Sequence, residues 1–353
     1  MLRKRLLGFL VGIGCLVAAS PESYEKKVKT VTRIPGFVAL WDFVKKDSAD
    51  QRFDAWKSSS ETADLRLDAM NYVREYWNEG RPATYADIPV VEGGPFGKAI
   101  SFRKEADPTF RPLLLVPRER IHNSGIDAKG AGRSVTLVAW IRRDAESGNH
   151  AITGIWHEGT DLKDHGSEAK RVELGKRQYA LFSGLAANPQ GSAAHISDNG
   201  RSSFGDKYAR HLSVTPEKIP DDQWVLVALV FDNAKDTVTS YLNGKATENW
   251  IENPQKHPFF QWAARAWERG EYRPPKKFVR VKDGKLVALK VNPYWFPHDL
   301  YQPEKVSDGG PFTIGRVIHM GRNPTASAQI GGVAVFSRAL KKSEIRKLAS
   351  LVK

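Results

Sequence analysis

The chain of 353 residues has one cysteine, Cys15, and it lies near the N-terminus. A disulfide within the chain is therefore excluded. If the first 20 residues are removed, no thiol remains to serve as nucleophile or soft metal ligand. Beyond that leader no apolar run approaches the roughly 20 residues a membrane-spanning helix needs. The nine histidines show no close metal-ligand spacing. There is no G-x-S-x-G elbow of a serine hydrolase. Internal repeats, low-complexity tracts and Pro/Gly-rich linkers are also missing, which argues for one domain over residues 21–353 rather than two.

What is present is ordinary globular material, 41% hydrophobic and 27% charged, with a formal net charge of +14. Part of that excess, Arg3, Lys4 and Arg5, opens a leader with an apolar core at Leu6–Val17 and small residues at Ala18-Ala19-Ser20. Those are the parts of a cleaved secretory signal over residues 1–20. Export to the cell envelope, the periplasm or the medium is expected. Lipid anchoring through Cys15 is disfavoured, because Gly12 stands where a branched apolar residue is needed.

The most informative stretch is Gln223–Lys245, QWVLVALVFDNAKDTVTSYLNGK. Trp224, Leu226, Ala228 and Val230 alternate with Val225, Val227, Leu229 and Phe231, so a strand here is apolar on both faces. Such a strand belongs inside a layered β structure. Asp232–Asp236 makes a turn, and Asn243-Gly244 supplies positions that tolerate positive φ. Further strands are expected at 37–43, 98–103, 111–116, 134–142, 151–158, 178–185, 208–214, 311–317 and 329–336. A helix is expected within 61–79, where Leu65, Ala69, Tyr72, Val73, Tyr76 and Trp77 share a face. Residues 20–35 read as a basic lead-in, 186–206 as an irregular connection, and 337–351 as a closing helix on Ile345, Leu348 and Leu351. Stretches of different composition, about 45–97 and 250–309, read as insertions.

The order of FVALWDF (37–43), FGKAISF (96–102), SVTLVAWIRR (134–143), the 223–245 hairpin, FTIGR (312–316) and IGGVAVFSRALKKSEIRKL (330–348) resembles the laminin-G-like jelly rolls of the concanavalin A-like superfamily, as found in secreted bacterial proteins. The resemblance implies an all-β fold, an antiparallel two-sheet jelly-roll sandwich of roughly 12 to 14 strands. Helical insertions and a short C-terminal helix would be added to it. It also implies mostly non-catalytic, carbohydrate-binding (lectin) roles, sometimes with bound calcium. Two departures stand out: Val44, and Gly331-Gly332, occupy places where relatives carry acidic residues.

Catalytic patterns of that superfamily are not met. No E-x-D-x-x-E strand offers the paired carboxylates a retaining glycosidase holds about 5–5.5 Å apart. Arg171-Val172-Glu173-Leu174 resembles part of an alginate-lyase strand, but no Gln-Ile-His follows. Glu158 and Asp161, beside Trp156-His157, are the best remaining acids. For calcium, the loop oxygens available are Asp161, Asp164, Asp232, Asn233 and Asp236, with Asp161 and Asp164 the candidate ligands.

The segment 250–309 holds Trp250, Trp262, Trp267 and Trp295, four of the ten tryptophans. Sugars present flat C–H faces to aromatic rings, so Tyr294, Trp295, Phe296 and His298 are candidates for a stacking platform. The same rings would equally serve to bury the insertion, each hiding about 150–250 Å². Arg265, Arg269, Arg273, Lys276, Lys277, Arg280 and Lys282 make the region basic, with Arg273, Lys276 and Lys277 the candidate anion contacts. Export favours polysaccharide over nucleic acid as the polyanion. The expectation is a non-catalytic glycan-binding module. The alternatives are a polysaccharide-degrading enzyme and an envelope protein that binds protein.

Overall fold

The computed structural model describes residues 21–145, 150–159, 175–185, 188–201, 211–319 and 328–352. The fold is all-β with two antiparallel sheets, as the sequence implied. With strands labelled in chain order, the twelve-stranded first sheet runs β14 (Asn249–Glu252), β16 (Lys285–Asn292), β17 (Tyr294–Trp295), β13 (Thr237–Leu242), β12 (Val225–Asp232), β7 (Val135–Arg143), β19 (Ala328–Phe336), β1 (Phe37–Trp41) and β2 (Trp56–Lys57). Off this path, β15 (Val279–Lys282) pairs with β16, β5 (Lys98–Phe102) with β19, and β4 (Val90–Glu92) with β5. The seven-stranded second sheet runs β11 (Leu212–Val214), β10 (Asn188–Ile196), β9 (Lys176–Leu185), β8 (His150–His157), β18 (Phe312–Ile314), β6 (Pro112–Val116) and β3 (Asp68–Asn71). Short helices are α1 (Pro21–Thr32), α2 (Tyr72–Trp77), α3 (Arg118–Ile121), α4 (Gln261–Glu268) and α5 (Lys342–Ala349).

The double-faced strand β12 lies between β13 and β7. Its row Val225, Val227, Leu229 and Phe231 joins the large core between the sheets. Its other row, Leu226, Ala228 and Val230, joins a second core with Val28 and Val31 of α1 and Ile345 and Leu348 of α5. The protein is thus layered as helices, sheet, sheet. Trp140 of β7 anchors the helical layer: it is fully buried, donates from Nε1 to the Leu348 carbonyl at 3.1 Å, and meets Phe96 edge-on at 5.3 Å. Tyr24 of α1 donates to the buried Asp42 carboxylate at 2.7 Å. Gly331 and Gly332 sit in the same region. A Cβ on Gly332 would lie 2.7 Å from the Phe96 ring, and one on Gly331 would lie 2.9 Å from Trp224. Glycine is required there by packing.

Three local expectations are corrected. Residues 21–32 are helix rather than lead-in, because Val28 and Val31 turn inward onto the sheet. The expected helix over 61–79 survives only as α2; Asp68–Asn71 pairs with β6 instead, and Asn71 then caps the helix through Val73 N at 3.2 Å. Part of the connection read at 186–206 is strand β10, whose Ser192, Ala193 and Ala194 are buried between β9 and β11. Pairing on both sides overrides the weak strand propensity of those small residues. Residues 250–309, the second insertion, add β14, β15, β16 and β17 to the first sheet. The closing helix is α5, with Ile345, Leu348 and Leu351 buried.

Replacing Trp140 by alanine removes a core ring and the bond to Leu348, and an unfolding loss of about 3–5 kcal/mol in a denaturant titration is the expected result.

Candidate glycan-binding site

At the edge of the first sheet the register collects side chains from three strands. Trp250 of β14 lies opposite Lys290 of β16; Glu252 lies opposite Ala288, and Ala288 is also opposite Arg280 of β15. Alternate residues of a strand share a face. Trp250, Glu252, Lys290 and Arg280 therefore share one face of this edge, with Glu252 and Arg280 exposed, Trp250 half-buried and Lys290 buried beneath the ring, while Ile251, Leu289 and Val279 pack into the main core. The Arg280 guanidinium lies 4.2 Å from the centroid of the half-buried Trp250 ring, and Lys290 Nζ lies 4.9 Å from it. Both are cation–π distances. Glu248 accepts from Lys290 Nζ at 2.7 Å and Trp250 Nε1 at 3.4 Å, while Glu252 accepts from Arg280 at 2.9 Å. The hydrogen bond from Lys290 lowers the pKa of Glu248, keeping it an acceptor.

A second ring is held similarly. Trp267 of α4 donates from Nε1 to the Gly284 carbonyl at 2.9 Å, which ties α4 to the turn between β15 and β16. Asp283 and Gly284 make that turn with positive φ at both positions, as a two-residue hairpin requires. Arg273 lies over Trp267 with its guanidinium 4.3 Å from the ring centroid. Arg273, Lys276, Lys277 and Lys282 make no ion pair among the described residues, and all four are exposed.

The expected platform at 294–298 is largely interior. Tyr294 and Phe296 are 1% and 0% exposed. Tyr294 pairs with Val238 of β13, and the Phe296 amide donates to the Asp236 carbonyl at 2.8 Å. This pairing turns both rings inward. Trp295, between them, is half-buried and lies 5.8 Å from the Tyr272 ring. His298 is exposed, 3.7 Å from Asp198 and 5.2 Å from the Phe296 ring. The residues that sequence reasoning missed as a group are Lys290, Glu248 and Glu252 around Trp250. Alternation alone does not reveal them, because they meet only through the pairing of β14, β16 and β15.

Glu158 occupies a different place, at the end of β8 in the second sheet. Its carboxylate lies 2.9 Å from Arg177 and 2.7 Å from His319 Nε2, and it accepts from Trp156 Nε1 at 3.1 Å. Arg177 also lies 4.9 Å from the Trp156 ring, which stacks on His195 at 4.3 Å. Burial alone would raise the carboxyl pKa. The charges of Arg177 and His319 outweigh it and hold Glu158 well below the usual carboxylate range. A general acid needs a pKa near its working pH. Glu158, held ionised, does not meet that need. Asp161, its proposed partner, and Asp164 lie outside the described residues, as does Arg171–Leu174. Among the described residues no group of three or more His, Cys, Asp or Glu is placed to hold a metal ion. Asp232, Asn233 and Asp236 shape the β12–β13 turn, with Asp236 at φ 54°.

No family model matches the sequence, and no curated protein matches it. Among solved structures the chain is similar to domain 4 of AbnA, a GH43 extracellular arabinanase from Geobacillus stearothermophilus, in complex with arabinotriose. The TM-score is 0.43 at 13% identity, over 89% of this chain and 98% of that one. It is also similar to the botulinum neurotoxin D/C binding domain, with a TM-score of 0.41 at 8% identity, covering 90% of this chain. The same domain in complex with SialylT gives 0.43 at 10% identity. This chain spans about half of those toxin domains, 52% and 51%.

Two outcomes follow from the electrostatics. Changing Glu158 to glutamine removes a carboxylate charge from buried Arg177, and a loss of about 3 kcal/mol in unfolding free energy is expected. Burial lowers the pKa of His211 from 6.5 to about 4, with Asp198 raising it and His298 lowering it again. Its folded pKa is depressed, so the unfolded chain binds the extra proton between those values. The contribution of neutral His211 is complete above pH 6.5 and is lost as pH falls toward 4. A thermal midpoint measured from pH 7 to pH 4.5 should decline less steeply in His211→Gln than in the parent, and equal slopes would remove His211 from the account.

Proposed function

We propose that this chain is an exported, non-catalytic carbohydrate-binding sandwich of the laminin-G-like kind, and that it holds acidic polysaccharide at the β14–β16–β15 edge. The observation that carries the reading is the Trp250 face. A half-buried indole stands beside two cations, exposed Arg280 and buried Lys290, which are paired to Glu252 and Glu248 respectively. The ring, Arg280 and the glutamates each have a matching feature on an acidic sugar. The ring takes the C–H face, and the exposed Arg280 guanidinium takes a carboxylate or sulfate, with the buried Lys290 ammonium holding Glu248 in place. The glutamates accept hydroxyl protons. The Arg280–Glu252 pair is more than half exposed on both sides, at 55% and 59%, so opening it to admit a ligand costs little. Trp267 with Arg273 offers a further ring and cation on the same insertion, with Lys276 and Lys277 nearby in sequence as additional anion contacts. Trp295 stands against Tyr272 and His298 against Phe296, and neither is assigned to the Trp250 face.

The test is affinity electrophoresis of the folded protein through uronic, sulfated and neutral polysaccharide gels. Uronic or sulfated gels should retard it. Trp250→Ala should weaken retention at least about fivefold, the equivalent of roughly 1 kcal/mol. Retention that is unchanged in a folded Trp250→Ala protein would exclude this face. Product release from any glycan in the panel would point instead to an enzyme.

A further inference from the structure

The helical layer carries its own charged face, far in sequence from the insertion. In α1, Tyr24, Val28, Val31 and the following Ile34 turn toward the sheet. The opposite side shows Lys26, Lys29 and Arg33, all exposed. In α5, Ile345 and Leu348 turn inward while Lys342, Arg346 and Lys347 stay exposed. A shallow groove of about 420 Å³ lies between the two helices, lined by Glu25, Lys26, Lys29, Thr30, Arg33 and Lys347. Its one carboxylate, Glu25, is taken up by Lys29 at 3.1 Å. The carboxylate of α5, Glu344, is taken up by Arg338. Lys26, Arg33, Lys342, Arg346 and Lys347 make no ion pair among the described residues.

We propose that this face of α1 and α5 docks the protein on anionic phospholipid surfaces. Three features favour headgroups over a glycan. The groove is lined by flexible amines and a guanidinium, and no aromatic ring stands in it to stack on a sugar. The cations are spread over two neighbouring helices rather than gathered round one pocket, which suits a plane of separate phosphates. Finally, α1 begins where the basic and apolar segment 1–20 ends. Until that segment is removed, α1 is the part of the fold that adjoins it in sequence. Juxtamembrane lysines and arginines each add about 1 kcal/mol of attraction to an anionic leaflet, and salt screens it. The inference does not depend on the glycan site.

The test is sedimentation of the chain from residue 21, which retains every described element, with two kinds of vesicle. One is phosphatidylcholine alone; the other contains about a third phosphatidylglycerol. Binding to the anionic vesicles only, fading with salt, is expected. Lys26→Glu, Arg33→Glu and Lys347→Glu together should reduce the partition at least about tenfold. Lys276→Glu with Lys277→Glu should leave it unchanged. Near-UV circular dichroism checks the fold, and the corresponding glutamine triple variant serves if the reversal does not fold, with a smaller loss. The proposal is overturned by equal binding to both vesicles, by a triple variant that binds like the parent, or by a loss confined to the insertion variant. Stronger, triple-sensitive retention by a sulfated polysaccharide than by anionic vesicles would also overturn it, and would make this face a glycan contact.

Discussion

The structure depends on one constraint: β12 is apolar on both sides. Neither row of its side chains can be left in water, since each Å² of apolar surface so exposed forgoes about 25 cal/mol. One row obliges a second sheet to pack against the first. The other obliges a further layer, and α1 and α5 supply it from opposite ends of the chain. The two helices are thus as much a part of the sandwich as the strands. Trp140 shows the same logic one strand away. Its ring faces the helical layer, and its single polar atom finds the Leu348 carbonyl rather than remaining buried without a partner.

That constraint also decides where a ligand is to be met. The central strands β12, β7 and β19 are covered on both sides, and only Asp232, Arg142 and Gln329 near their ends are partly exposed. At the β14–β16–β15 edge the layering changes. One face still packs into the main core, while the other carries Trp250, Glu252 and Arg280 toward water. A polar pin holds this edge in place. Buried Asn292, at the end of β16, accepts from Ser213 Oγ and the Ser240 amide, and donates to the carbonyls of Ser240 and Thr247. Every hydrogen-bonding position of that amide is used, and the partners come from β11, β13 and the chain leading to β14. A saturated buried amide of this sort favours one register over its neighbours. Register is what brings Trp250, Lys290 and Arg280 together.

Much of the fold was legible because periodicity is a local signal. The hairpin at 223–245, the strands at 37–43 and 134–142, and the helix on Ile345 and Leu348 all show their pattern within one segment. Where local preference and tertiary pairing disagree, the sequence misleads. Ser192, Ala193 and Ala194 have little strand propensity and form β10 because β9 and β11 flank them. Asp68–Asn71 carries part of a helical spacing and is taken by β6. The site was less legible than the fold. Tyr294, Trp295 and Phe296 look alike in the sequence, and which of them turns inward is fixed by β13, more than fifty residues earlier in the chain. The Trp250 face has no signature in any single stretch, because its members come from three strands and meet only through pairing.

The basic excess of the chain is of two physical kinds. In the insertion, Arg280 and Lys290 lie against an aromatic ring and are paired to Glu252 and Glu248. Little net field is projected by such a set. Its selectivity must come from short-range contact: ring against ring face, fork against carboxylate, oxygen against hydroxyl. The ring and hydroxyl contacts keep most of their strength as ionic strength rises, while the exposed guanidinium–carboxylate contact weakens. On α1 and α5 the cations project with few counter-charges, and the attraction they exert is almost wholly Coulombic. Between exposed charges that attraction is largely screened beyond about 8 Å at physiological ionic strength. Arg273, Lys276, Lys277 and Lys282 of the insertion are exposed cations of this second kind too, so salt separates the Trp250 ring contacts, rather than the whole insertion, from the helical face. What the Trp250 ring holds by stacking and hydroxyl contact should outlast an ionic strength that releases whatever the helical face holds, while any contribution of Arg273, Lys276 and Lys277 fades with salt as the helical face does.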